Sequence, residues 1–188
     1  MIYTKEDLEE YLKCDKQQLG ITRSFPRPFL DVIWKYEITL RKYEYWLNKS
    51  GTVAKVISSL YKFKHIRQSA KLGISIPPNC CGKGLSVAHA GTIQINWKAK
   101  IGDNLRIQEG VTIGASGGGA PILGNNVYLG SGCKVIGEVS IADNCAVGAN
   151  AVVVSNVTEA GITVAGVPAK KISNHGSERF VYFYKYKE

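Results

Sequence analysis

The sequence predicts a mainly β chain, a parallel β-helix with an N-terminal α-helical extension, and three observations carry that prediction. Aliphatic residues recur every six positions, at Ile95, Ile101, Ile107 and Ile113 and again at Leu123, Leu129, Val135, Ile141, Val147 and Val153. A small residue often follows, as at Gly102, Gly114, Gly124, Gly130, Ala142 and Gly148. Ahead of residue 74 the apolar spacing is instead three and four, the mark of amphipathic helices. A short fixed period signals a solenoid, because one repeat cannot bury its apolar face alone and must stack on the next. Three regions result: helices over 1–73, the β-helix over 74–172 and a tail over 173–188.

The first helix is expected over 4–20, with Thr4 and Asp7 as an imperfect capping box and Gly20 at its end. Two prolines break the connector over 21–28. A second helix is expected over 29–49, with Phe29, Ile33, Tyr36, Leu40, Tyr43 and Leu47 on one apolar face. A third follows over 53–72 and stops near Gly73. From 74 onward each hexad supplies one short strand and one side of a triangular prism, three hexads to a coil. The aliphatic residue points inward. The residue four positions later (Ala99, Leu105, Val111, Val127, Cys133, Val139, Cys145, Ala151, Val157) sits near a corner and is small or aliphatic. The register breaks once: Ile113 to Leu123 is ten residues, so Ala115-Ser-Gly-Gly-Gly-Ala-Pro121 leaves the prism as a loop. Such an excursion from a rigid scaffold is a common place for a site.

Composition narrows the function classes. Of the 188 residues 45% are hydrophobic, enough for a core and too many for disorder. No apolar run approaches the ~20 residues that cross a bilayer, and Met1 to Asp7 does not read as a signal peptide, so a cytoplasmic protein is expected. Five cysteines without a C-x-x-C pair argue against structural disulfides and against zinc. The net charge is +9. Residues 41–71 hold eight Lys or Arg against Glu44, a net +7. A patch of that kind suits an anionic membrane, a phosphate-bearing substrate or nucleic acid, or is simply a solvated helix face. Lying beside the first coils, it points to a lipid-linked glycan or the inner membrane face rather than to nucleic acid.

The hexads, the excursion and the ending Ala165-Gly-Val-Pro-Ala-Lys-Lys171 resemble the hexapeptide-repeat acyltransferases over residues 5–177. Within them, Ile33-Trp-Lys-Tyr-Glu37, Gly73-Ile-Ser-Ile-Pro-Pro78 and Gly84-Leu-Ser-Val-Ala-His89 are similar to serine-acetyltransferase-like proteins of capsule and exopolysaccharide clusters. The resemblance implies a left-handed β-helix, a homotrimer, and acetyl-CoA as co-substrate in a groove between prisms, with no metal. It implies His89 as the general base. Histidine suits that role because it is near half-ionised at neutral pH. His65 lies in the basic helix and His175 in the tail. The donor contacts carry over to Ala115, Ser116, Ser131 and Ala149, with Lys170 and Lys171 for the nucleotide phosphates.

The chain departs from serine acetyltransferases at the acceptor. Their acidic residue before the base is Ala88 here, and the acid that orients the base is Ile74. The arginine and histidine of their excursion align with Gly119 and Ala120. Those groups hold an amino acid's charges, so a neutral sugar hydroxyl in a glycan or lipid-linked acceptor is the expected substrate, with serine as the alternative. Asn79, Gln94, Asn96 and Glu109 are the candidates for orienting His89. A non-catalytic or metal-dependent prism is a third reading, but the metal-dependent form needs three histidines at one interface and only His89 lies in the coils.

Overall fold

A computed structural model describes residues 1–181. Helix α1 runs Lys5–Gln18. Asp7 N–H donates to Thr4 Oγ1 (3.0 Å) and Thr4 N–H donates to Asp7 Oδ2 (2.8 Å), so the capping box is complete. The Thr4 and Tyr3 N–H groups, both donating to its carboxylate, hold Asp7 below its usual range.

Helix α2 runs Val32–Leu47, three residues shorter at its start than expected. Phe29 has φ 66° and lies exposed, outside the helix. The cause is Asp31. Its carboxylate gathers the guanidinium groups of Arg23 and Arg27 and the Arg27 N–H (2.6 Å), which folds the connector back and holds its pKa far below normal. Nor is α2 apolar on one face alone. Trp34, Glu37, Arg41 and Glu44 are buried beside Tyr36, Leu40 and Tyr43, while Leu47 is exposed. Helix α3 runs Thr52–Leu72 and ends on Gly73 in the left-handed conformation (φ 71°).

The rest is a left-handed parallel β-helix with three faces. The first face stacks β1 (Ile74–Ser75), β3 (Ile93–Ile95), β6 (Thr112–Gly114), β9 (Lys134–Ile136) and β12 (Val152–Val153). The second stacks β4 (Lys100–Ile101), β7 (Ile122–Leu123) and β10 (Ser140–Ile141). The third stacks β2 (Ser86–Val87), β5 (Arg106–Ile107), β8 (Tyr128–Leu129), β11 (Ala146–Val147) and β13 (Thr163–Ala165), closed by β14 (Lys170–Ser173) running antiparallel.

Inward aliphatics pair rung to rung: Ile95 with Ile113, Ile113 with Val135, Val135 with Val153. The residues four positions on are buried too, so each corner adds a second apolar column to the core. Cys133 and Cys145 are fully buried members of it. Burial pushes the Cys133 thiol up to about 12, which leaves it inert.

One corner is built from Gly102-Asp-Asn104, Gly124-Asn-Asn126 and Ala142-Asp-Asn144. Asn104, Asn126 and Asn144 sit at φ 60°, 56° and 61°, a conformation their short polar side chains tolerate. They form an amide ladder: Gln18 Nε2 to Asn104 Oδ1, Asn104 Nδ2 to Asn126 Oδ1 and Asn126 Nδ2 to Asn144 Oδ1, each 2.9 Å. The tail closes over this corner, with Ser177 N–H on Asn144 O (3.0 Å) and Phe180 stacked on Tyr128 at 4.3 Å. Residues 182–188 of the expected tail lie outside the described residues.

The helices dock on the first coil through buried charge. Arg41, fully buried, binds Asp15 (2.7 Å) and Glu44 (2.9 Å) and donates to the Cys81 and Gly82 carbonyls (3.0 and 2.6 Å). Arg41 therefore does not belong to the exposed basic surface in which the sequence places it.

Candidate active site

The corner between the third and first faces carries His89. Val87 pairs with Ile107, and Ala88 N–H donates to Ile107 O (2.9 Å), so the next residues in register are His89 and Glu109. Ile107 pairs with Leu129 and Leu129 with Val147, which sets Ser131 over Glu109 and Ala149 over Ser131. Gly132 N–H to Glu109 O (2.9 Å) and Asn150 N–H to Ser131 O (2.8 Å) fix those steps. His89, Glu109, Ser131, Ala149 and then Gly166 form one column. At the ~4.8 Å strand spacing it is roughly 19 Å long. His89 and Ala149 are exposed, and Glu109 and Ser131 half-buried.

Glu109 is the acidic neighbour of His89 in this register. Its own backbone N–H, the Ser131 hydroxyl and the His89 imidazole hold its carboxylate below the usual range. Its Oε2 is shielded and has no hydrogen-bond partner among the described residues. Gly91 makes room for it. With φ 153°, a β-carbon there would stand 2.8 Å from Glu109 Cβ. A carboxylate beside an imidazole orients the ring and stabilises the imidazolium that forms when it accepts a proton.

The other candidates for orienting His89 are engaged or placed elsewhere. Asn79 is paired with Asn48 (2.9 and 3.0 Å) and gives its N–H to Glu44 at the helix junction. Asn96 Oδ1 accepts the Lys98 N–H (2.9 Å) and closes a turn on another corner. Gln94 lies exposed on the first face. The choice was hidden in the sequence because the first coil is two residues longer than eighteen: Val87 pairs with Ile107, not with Leu105.

His65 and His175 are placed apart from this column. His65 is buried, its Nε2 3.0 Å from Ile76 O and its ring against Tyr36 and Tyr43, and burial lowers its pKa. It is a core residue, not one of a basic helix face. His175 is exposed near Glu178. Cys80 and Cys81 are buried with their sulfurs 3.6 Å apart, and no group of three potential metal ligands occurs among the described residues.

The six residues expected to hold the donor do not lie together in one chain. Ser131 and Ala149 share the His89 column. Ala115 and Ser116 lie in the excursion, which leaves the corner between the first and second faces and is closed by Ser116 and Gly119 (3.1 and 3.3 Å). Lys170 pairs with Ala165, at the far end of the His89 column. Lys171 is bound to Glu159 (2.6 Å) and is less free for a phosphate than its neighbour.

Known proteins with this architecture and sequence bear on the reading. Residues 120–155 match the bacterial transferase hexapeptide (six repeats) model. A serine acetyltransferase of Helicobacter pylori strain J99 is 36% identical over 126 residues, 64% of this chain and 69% of that protein. One of Staphylococcus epidermidis is 32% identical over 152 residues, 78% of this chain, and the match spans 66% of its length. The crystal structure of Brucella abortus S19 serine acetyltransferase in complex with coenzyme A superposes with a TM-score of 0.67 at 25% identity, covering 91% of this chain and 68% of that one. These relatives carry the serine acetyltransferase name and lend no support to a capsule-specific branch. On fold, repeat and identity, the chain belongs to the hexapeptide-repeat acyltransferase family.

Proposed function

We propose that the chain transfers an acetyl group from acetyl-CoA to a hydroxyl, with His89 as general base and Glu109 as the group that orients it. The carrying observation is the His89–Glu109–Ser131–Ala149 column. Beyond His89 and Glu109 its members are the small Ser131, Ala149 and Gly166, which leave room for an extended pantetheine arm, and Lys170 stands at the end where the nucleotide phosphates would lie. His89 takes the acceptor proton as the hydroxyl oxygen attacks the thioester carbonyl. The imidazolium, steadied by Glu109, returns that proton to the departing thiolate as the tetrahedral intermediate collapses. Backbone N–H groups on the neighbouring corner suit the oxyanion.

The excursion and the His89 column occupy different edges of one prism. They can form one site only if the excursion of one chain meets the column of another, which is the reason to propose a trimer.

Serine is the first reading for the acceptor, because the relatives are named for it. A second reading, a neutral sugar hydroxyl, is favoured by the excursion itself. No Lys, Arg or His stands in it to meet a carboxylate, and Trp97, 72% exposed on the same edge, offers an apolar ring face.

Coenzyme A release measured with serine and with oligosaccharides separates the two. His89→Ala should lower turnover by about 10²–10⁴ on the true acceptor, with an unchanged melting temperature. Near-normal turnover of that variant removes the assignment of the base.

A further inference from the structure

The outward face of α3 has no partner among the described residues. The helix buries only Ala54, Ser58 and His65, which lie on one side. On the opposite side Val53, Val56, Leu60 and Phe63 are 70%, 56%, 66% and 62% exposed, at spacings of three and four. The same stripe continues as Lys64, Arg67 and Lys71, all exposed, with the Arg67 guanidinium 5.6 Å over the Phe63 ring. Lys55 and Lys62 flank it, and α3 contains no Asp or Glu. A soluble helix face is ordinarily polar opposite its buried stripe. This one is apolar in its first half and cationic in its second.

We infer that this face is an interfacial helix for an anionic bilayer surface, with Leu60 and Phe63 entering the acyl boundary and Lys64, Arg67 and Lys71 meeting lipid phosphates. An apolar stripe with Phe and Leu, bordered by Lys and Arg and free of acids, is the composition that binds such surfaces. Charge complementarity selects this occupant over a second copy of the chain, since two such faces would bring ten cations together without one carboxylate.

The placement has a consequence for the site. Gly91 N–H donates to Leu72 O (3.0 Å) and Ile93 N–H to Gly73 O (2.9 Å), so the cationic end of α3 is tied to the turn that carries His89. A helix lying on a membrane holds that corner at the lipid headgroups, where a lipid-borne acceptor would present its hydroxyl. The inference goes beyond acetyl transfer and does not depend on which hydroxyl is acetylated.

The test is co-sedimentation of the full chain with phosphatidylcholine vesicles containing roughly a quarter phosphatidylglycerol, against pure phosphatidylcholine, at low and raised salt. Binding should require the anionic lipid and fall as salt rises. The charge variant Lys64→Glu with Arg67→Glu and Lys71→Glu should lose about 10² in apparent affinity. The apolar variant Leu60→Ser with Phe63→Ser, which keeps every charge, should lose about 10-fold or more. Both change only exposed residues, and unchanged melting temperatures would confirm intact folds. The inference is overturned by no binding to anionic vesicles at low salt, by equal binding to neutral ones, or by binding indifferent to both variants. It is equally overturned if light scattering shows the wild type in an assembly that the apolar variant dissolves, for the face then belongs to a second copy.

Discussion

The two halves of the molecule bury opposite kinds of group. In the prism the interior is an aliphatic ladder, and its polar groups are satisfied at the corners by neighbours one coil away. In the helical half the most deeply buried side chains include Arg41, Glu37, Glu44 and Asp15, while Val53, Leu60 and Phe63 face out. A repeat can bury apolar rungs because every coil offers the same surface to the next. The helices have no such template. They must cap the open end of the first coil, whose backbone groups have no coil before them, and buried polar side chains do that work: Arg41 takes the Cys81 and Gly82 carbonyls, Asp15 the Leu85 N–H (2.8 Å) and Glu37 the Val87 N–H (2.9 Å).

The largest expected effect lies at that cap. Arg41→Met leaves Asp15 and Glu44 buried without their cation, and should destabilise the chain by about 3–5 kcal/mol in denaturant unfolding. If the variant is as stable as the parent, the cap is apolar packing and the contrast between the halves fails. A rung of the ladder should cost somewhat less. Leu129→Ala removes a fully buried side chain between Ile107 and Val147 and should cost about 2–5 kcal/mol, nearer the lower end if the adjoining rungs relax into the space. Hydrogen exchange should show that loss centred on the middle coils and not at the helices.

The smallest effect sharpens the comparison by pH. Glu37 is fully buried, Oε1 accepts the Val87 N–H and Oε2 has no hydrogen-bond partner among the described residues, so burial raises its pKa well above the ordinary carboxylate range. The folded state therefore holds a proton that the unfolded chain releases. Stability from this group is fully present below the unfolded carboxylate pKa and is lost as pH rises toward the folded value. Glu37→Gln, which keeps the acceptor oxygen and carries no proton to lose, should flatten the decline in melting temperature across that interval. A wild type whose melting temperature does not fall there would show that Glu37 is ionised in the fold.

How much of this was legible in the sequence differs by half. The hexads located every face of the prism, and the register break at 113–123 located the excursion, because inward positions in a repeat tolerate only aliphatic residues. The second helix was legible only in part. Tyr36, Leu40 and Tyr43 advertised one buried face, but the burial of Glu37, Arg41 and Glu44 on another could not be read from residues that usually lie in water. The basic patch was overcounted for the same reason.

The site divides along the same line. Sequence alone determined that Ser131 and Ala149, one coil apart, share an edge, which follows from a strict period; His89 was singled out by resemblance, not by the period. Only the tertiary structure decided that Glu109 is His89's neighbour, because a first coil two residues long of the period moves the partner from where an eighteen-residue count would put it. It alone decided that Arg41 faces inward and α3's apolar stripe outward. Those choices rest on which surfaces remain after the first coil is capped, a property of the assembled fold that no local spacing encodes.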